Sequence, residues 1–155
     1  MITLSIPSRV NELDRVLEFI NMGLEVYDCS PDVWLELTEL VKDIFLNITE
    51  YAYPSGEGVI KISFHFIEPQ QAIELSFFDD GIPYNPLEGI PALPQEYRIN
   101  RLQDRGEIPV SEQSVDETNY VYLNKKNVST IKKYIGQSLL DQIALHRAYT
   151  SRGGI

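Results

Sequence analysis

Residues 31–53 read PDVWLELTELVKDIFLNITEYAY, with apolar side chains at the three- and four-residue spacing of one helix face. The apolar positions are Val33, Leu37, Leu40, Val41, Ile44, Ile48 and Tyr51. Ser30 precedes the stretch as a helix N-cap, and Pro31 stands at the first helical position, where an N–H is not needed. The pattern predicts a helix that ends at about Tyr51 and buries this face.

Shorter patterns surround this helix. Three segments have the composition of strands: residues 2–6, 59–67 and 72–78. A helical stripe over residues 10–24 follows Ser8, which we expect to act as the N-cap. The order strand, helix, helix, strand, strand indicates an α+β fold, a two-layer sandwich with helices on one face of a mixed, mostly antiparallel sheet.

The remainder of the chain has a less regular pattern. Residues 81–127 are rich in Pro, Gly and charge, and only residues 120–123 have the pattern of a strand. We therefore predict a single domain over residues 1–155, with a lid or insertion at about 87–128. Ser129 is expected to cap a third helix, whose apolar side begins at Ile131.

Composition excludes several classes of protein. The net charge of −10 is unfavourable for general binding to nucleic acid, because phosphates would be repelled. The single cysteine, Cys29, cannot form an internal disulfide, which indicates a reducing cytoplasm. The sequence has no apolar run of the ~20 residues that span a bilayer, so we expect no membrane partner.

Asp43 and Asn47 are the first candidate site. They lie one helical turn apart on the predicted helix, away from its apolar face, so their side chains can converge. An acid and an amide at this spacing can hold Mg²⁺, or the carboxylate can act as a general base. The alternative is a solvated polar face.

Two glycines mark further candidates. Asp79 and Gly81 follow a predicted strand, where the carboxylate could accept from an exocyclic amine and Gly81 would allow a ligand to approach. The alternative is an ordinary turn. Gly136 lies in the predicted third helix and could contact phosphate, or could allow close helix packing.

Two of these stretches resemble motifs of the GHKL ATPases, in the form found in anti-sigma-factor serine/threonine-protein kinases. DIFLNITEYAY, residues 43–53, resembles the N box, which reads Glu, three residues, Asn, three residues and His-Ala-Tyr. DDGIPYNPL, residues 79–87, resembles Asp-x-Gly-x-Pro-Phe-Asp-Pro. The similarity covers about residues 2–87 and implies a histidine-kinase-like ATPase fold that binds ATP or ADP with Mg²⁺.

The resemblance also implies roles for these residues. Asn47 would hold the Mg²⁺ that bridges the nucleotide phosphates, and Asp43 would contact the metal and stand where the family has its catalytic base. Asp79 would accept from the adenine amino group, with Gly81 and Pro83 beside it in the nucleotide site.

The chain departs from the family pattern at several points. Asp43 is one methylene shorter than the usual Glu, and Tyr51 replaces the expected His. Of the family's Gly-x-Gly phosphate motif, only Gly136 matches, with Tyr134 at the other glycine. The family continues into one more strand after this region, and by resemblance we expect that strand to be missing from the given sequence, which is either a fragment or takes the strand from elsewhere.

By resemblance, the function is that of a regulatory protein serine kinase that phosphorylates or sequesters a protein partner. The partner would be an antagonist-type domain that carries a serine, or a sigma factor, and a homodimer is possible. The alternative is a degenerate nucleotide-binding module, or a nucleotide-free interaction module that acts by protein contact alone.

Overall fold

The computed structural model describes residues 1–54, 56–88 and 115–135. These residues form two α-helices and five strands, in the chain order β1 Ile2–Pro7, α1 Leu13–Val26, α2 Pro31–Asn47, β2 Val59–Ile67, β3 Ala72–Asp79, β4 Glu117–Leu123 and β5 Lys126–Tyr134. Short helical turns occur at Val10–Glu12, Ile48–Ala52 and Glu68–Gln70. Neither described α-helix is long and apolar enough to cross a membrane.

The five strands form one sheet in the order β1-β2-β3-β5-β4, and each of the described pairings is antiparallel. Alternate residues of β2 and β3, such as Ile62 and Leu75, face the helices and are fully buried. They belong to one hydrophobic core with Val16 of α1 and Val41 of α2. The predicted α+β two-layer sandwich is confirmed, with both helices on one face of the sheet.

Strand β5 corrects the sequence prediction for this part of the chain. The third helix predicted from Ser129 is wrong over the described residues, because Lys126–Tyr134 is a strand that pairs with β3 and β4. Its buried inward residues are Asn127, Ser129, Ile131 and Lys133. Because all but one of them are polar, the period-two apolar pattern of a strand is concealed. Gly136 and the rest of the predicted helix lie outside the described residues.

The predicted lid, at about residues 87–128, overlaps the sheet. Its last part lies in β4 and β5, and the strand predicted at residues 120–123 is confirmed as part of β4. Asn124 and Lys125 join the two strands at φ values of 55° and 64°, as a two-residue hairpin turn of the mirror-image type requires. Residues 89–114 of the predicted lid lie outside the described part of the chain.

Of the two caps predicted for α1 and α2, the structure shows one. The prediction that Ser8 caps α1 is wrong, because the turn Val10–Glu12 intervenes and α1 begins at Leu13 without a side-chain cap. The cap predicted for α2 is confirmed, because Ser30 Oγ accepts a hydrogen bond of 3.3 Å from the Val33 N–H.

A π-helical turn extends α2 over Ile48–Ala52 and changes which residues face the core. Such a turn contains one more residue than an α-helical turn. After Ile48 the next buried position is therefore Ala52, with 1% of its surface exposed, rather than the predicted Tyr51, which is 47% exposed. This shift turns the Ala52 carbonyl toward the loop that follows β3.

Candidate functional site

The candidate site centres on Asp79, the last residue of β3, which points inward and is only 3% exposed. Its Oδ1 atom accepts hydrogen bonds from the Gly81 N–H at 2.9 Å and from Asn127 Nδ2 at 2.7 Å. Its Oδ2 atom is buried and has no hydrogen-bond partner within the described residues. One oxygen of the carboxylate is thus held by the protein, and the other is left to accept from a further donor.

The electrostatics of Asp79 follow from this position. Burial raises the pKa of the Asp79 carboxyl above its usual range, and the nearby charge of Asp80 acts in the same direction. The hydrogen bonds from Asn127 and Gly81, and the charge of Lys126, oppose the rise. A carboxylate with an unpaired buried oxygen is costly unless a ligand donates to it, which is typical of a binding site rather than of a simple turn.

Ser129 is a second unpaired group on the same face of the sheet. Its Oγ atom is buried without a partner among the described residues. It lies two residues along β5 from Asn127, which is the register partner of Asp79. Among the described residues, the interior face near Asp79 therefore has two buried groups without a hydrogen-bond partner, the Asp79 Oδ2 acceptor and the Ser129 hydroxyl.

The sequence patterns did not indicate Asn127, which links Asp79 to the loop after β3 and to β4. It is fully buried, and its Nδ2 donates to Asp79 Oδ1 and, at 2.8 Å, to the Ile82 carbonyl. Its Oδ1 accepts from the Tyr84 N–H at 3.0 Å and from the Tyr120 hydroxyl. The run of β-branched residues after it, within NVSTI, is the sequence signal that could have placed it on a strand.

Gly81 is explained first by packing against the helix end. The Ile82 N–H donates to the Ala52 carbonyl at 2.9 Å, so the loop after β3 lies directly on the π turn. A Cβ atom on Gly81 would stand 2.2 Å from the Ala52 carbonyl oxygen. The absence of a side chain at Gly81 is therefore required by the protein itself, whether or not a ligand is bound.

Asn47 and Asp43 lie on α2, as predicted, and both side chains are half-buried. Asn47 Nδ2 donates to the Pro86 carbonyl at 3.1 Å, which ties α2 to the segment after Asp79. Its Oδ1 is then the atom that could contact a cation. Carboxylate and amide oxygens are suitable Mg²⁺ ligands, and Asp43 stands one helical turn before Asn47.

Protein side chains alone do not complete a metal site here. Across the described ranges, no group of three or more His, Cys, Asp and Glu side chains could hold a metal ion. A Mg²⁺ ion at Asp43 and Asn47 would therefore depend on oxygens from outside the protein, such as phosphate and water.

A surface cavity of about 500 Å³ lies beside the loop that follows Asp79. Its walls include Ala52, Tyr53, Pro54, Gly56, Glu57, Asp80, Gly81, Ile82, Pro83 and Tyr122. Tyr53 fixes one wall, because its hydroxyl lies 2.7 Å from Asp80 Oδ1 and accepts from the Asp80 N–H at 3.0 Å. The cavity is in the size range of small-molecule sites, and both Gly81 and Pro83 line it.

The loop also contacts the helix end through aromatic rings. The rings of Tyr51 and Tyr84 lie 5.3 Å apart and are tilted by 40°. Burial raises the pKa of the Tyr84 hydroxyl, and nearby Tyr51, Glu88 and Glu50 raise it further. The exposed ring of Tyr51 thus packs against the loop that follows β3.

No protein-family model matches the chain, and no curated protein matches it. One similar solved structure is the histidine kinase domain from Erythrobacter litoralis EL346 blue-light activated histidine kinase, with 15% sequence identity and a TM-score of 0.49. The match covers 85% of this chain and 63% of that domain. A similarity at this level carries no information about the activity of this chain.

Of the predicted site residues, the structure joins Asp79 to Gly81 by a hydrogen bond and places Gly81 and Pro83 in one cavity wall. It connects Asn47 to the same loop through Pro86. Gly136 lies outside the described residues, and the helix in which it was predicted is a strand up to Tyr134.

Proposed function

We propose that this chain binds an adenine nucleotide and acts as a regulatory domain resembling the anti-sigma-factor serine kinases. The observation that carries the proposal is the buried Asp79 carboxylate, whose Oδ2 lacks a partner among the described residues. The exocyclic amine of adenine is a donor of the kind that this oxygen requires. Ser129 Oγ supports the proposal, because a hydroxyl on the same inward face, two residues along β5 from the register partner of Asp79, can donate to a ring nitrogen of the base.

The remaining roles follow the sequence resemblance. Gly81 and Pro83 would border the base, and Asn47 Oδ1, with Asp43, would contact the Mg²⁺ ion that accompanies the phosphates. A bound nucleoside triphosphate would supply a phosphoryl group for transfer. Asp43 would accept the proton of a serine hydroxyl from a protein partner, in the way that a carboxylate acts as a general base.

A partner would be either phosphorylated or sequestered. By resemblance it is an antagonist-type domain that carries a serine, or a sigma factor. Phosphorylation requires a bound nucleotide, whereas sequestration by protein contact alone does not, so nucleotide binding is the first property to measure.

The alternative, an interaction module without nucleotide, also has a supporting observation. Asn47 Nδ2 already donates to Pro86, and the Ala52 carbonyl already accepts from Ile82. Leu87, in the same segment, is only 5% exposed. The amide of Asn47 and the end of α2 are thus already engaged by the segment after Asp79.

Isothermal titration of ATP and ADP, with and without Mg²⁺, distinguishes the two proposals. The protein is measured as wild type, as Asp79→Asn, and as Asp14→Asn, a control at an exposed acid of α1 that does not line the cavity. We expect binding to the wild type and to Asp14→Asn, with a loss of about tenfold or more in Asp79→Asn. If millimolar nucleotide does not bind to the wild type, the interaction module is the better proposal.

A further inference from the structure

The four hydrogen bonds of Asn127 fix the orientation of its side-chain amide. Nδ2 donates to two acceptors, Asp79 Oδ1 and the Ile82 carbonyl, and Oδ1 accepts from the Tyr84 N–H and the Tyr120 hydroxyl. The reverse orientation would place Oδ1 against two other oxygens and Nδ2 against an N–H. Only one orientation satisfies all four groups.

That orientation makes the two oxygens of Asp79 different from each other. Oδ1 receives two N–H groups, from Asn127 and Gly81, whereas Oδ2 receives none from the described residues. Gly81 alone could not impose this, because one turn amide leaves the plane of the carboxylate free to turn about the Cβ–Cγ bond. The donor on β5 fixes that plane, since it approaches Asp79 from the neighbouring strand, and one oxygen position stays open.

We infer that Asn127 is a positioning residue that selects the carboxylate oxygen of Asp79 that a purine amine would meet. This inference rests on the proposed adenine site and adds to it a residue 48 positions away in sequence. The hydroxyl of Tyr120 on β4 supports Asn127 from the opposite side. Recognition of the base would thus depend on three adjacent strands rather than on the Asp79 loop alone.

The variant Asn127→Asp tests this role, because a protonated carboxyl group can replace the amide. When protonated, the new side chain still donates to Asp79 Oδ1 and accepts from Tyr84 and Tyr120. When ionised, it opposes the charge of Asp79 at hydrogen-bond distance and has no donor. ATP binding by this variant should therefore be close to wild type at about pH 5 and weaker by about tenfold at about pH 8.

Asn119→Asp is the matched control, because Asn119 is an exposed residue of β4 and the variant gains the same charge. Other titratable groups near Asp79 are Asp80, Lys126, Tyr53 and Tyr120. They are the same in every variant, so their contribution cancels when each variant is compared with wild type at one pH. A loss that appears only at high pH is not expected from a purely structural defect at position 127.

A second measurement does not depend on nucleotide. Carboxyl NMR titration of Asp79 in Asn127→Leu should give a higher midpoint than in the wild type, because the hydrogen bond from Asn127 lowers the pKa of Asp79. If Asn127→Leu does not fold, Tyr120→Phe removes only one support of the amide and should lower ATP affinity by about threefold.

The outcomes separate the two proposals. If wild type binds ATP in an Asp79-dependent manner, but Asn127→Asp shows no pH-dependent loss and the Asp79 midpoint does not move, the positioning role is overturned and the nucleotide site survives. If wild type binds no nucleotide, the proposed function is overturned and the role in base recognition with it.

Discussion

The most specific consequence of the site is that Asp79→Asn should reverse a nucleotide preference rather than only weaken binding. In the variant, the amide oxygen can still accept from Gly81 and Asn127, as Oδ1 does in the wild type. The amide nitrogen then occupies the place of Oδ2. The fold is retained, and an acceptor that faces the ligand becomes a donor.

The size of the effect follows from the kind of hydrogen bond. A hydrogen bond to a charged group in a buried site contributes about 1.5–3 kcal/mol, which corresponds to about 10- to 150-fold in affinity. Inosine triphosphate has a carbonyl where adenine has its amine, so it cannot donate to Asp79 from that position. Wild type should bind ATP at least about tenfold more tightly, whereas Asp79→Asn should prefer inosine triphosphate by about threefold through a neutral hydrogen bond.

Isothermal titration with both nucleotides measures this ratio directly. A pH of about 8 favours the ionised form of Asp79, because burial raises the pKa of this carboxyl. Asp14→Asn, at an exposed acid of α1 that does not line the cavity, should retain the wild-type ratio. If Asp79→Asn weakens both nucleotides equally, the carboxylate does not contact the purine amine and its burial needs another explanation.

Three further predictions concern stability. Gly81→Ala should lower the thermal unfolding midpoint by several degrees, because its Cβ would stand 2.2 Å from the Ala52 carbonyl oxygen; an unchanged midpoint would contradict the close packing of loop and helix. Glu36→Gln should lower the free energy of unfolding in urea by about 3 kcal/mol, because it removes a buried carboxylate 3.2 Å from the Lys133 ammonium, and adding Lys133→Met should restore part of the loss. Folding raises the pKa of Asp79, so the contribution of this carboxyl to stability is complete below its unfolded pKa and is lost as pH rises through the folded pKa. Urea titrations from about pH 4 to about pH 8 should therefore show Asp79→Asn gaining stability relative to wild type.

The helical layer and the hairpin could be predicted from sequence because their patterns are regular. The spacing from Val33 to Ile48 defines the buried face of α2, and Ser30 caps it as expected. The error at Tyr51 arises from the π turn, which depends on how the helix end packs against the loop and has no periodic signal of its own.

Strand β5, at the end of the described residues, could not be predicted because its sequence pattern is not that of a buried strand. Three inward residues of β5 are polar: Asn127, Ser129 and Lys133. Asn127 bonds to Asp79 and Lys133 pairs with Glu36, whereas Ser129 lies on the face of the candidate site. A pattern rule that identifies strands by buried apolar residues fails where the buried residues serve a site. The motif at Asp79 could be found from sequence, but its partner on β5 could not, because contacts between distant strands are set by the fold.

The shared hydrogen bonds of Asn127 also limit how this protein can diverge. A descendant that changed Asn127 alone would leave the Tyr120 hydroxyl and the Ile82 carbonyl without this partner, and would remove one of the two acceptors described for the Tyr84 N–H. A change of Asp79 to Asn, in contrast, keeps both N–H bonds that Oδ1 accepts. In an alignment of relatives, position 79 should therefore alternate between Asp and Asn, whereas positions 120 and 127 should vary together or not at all.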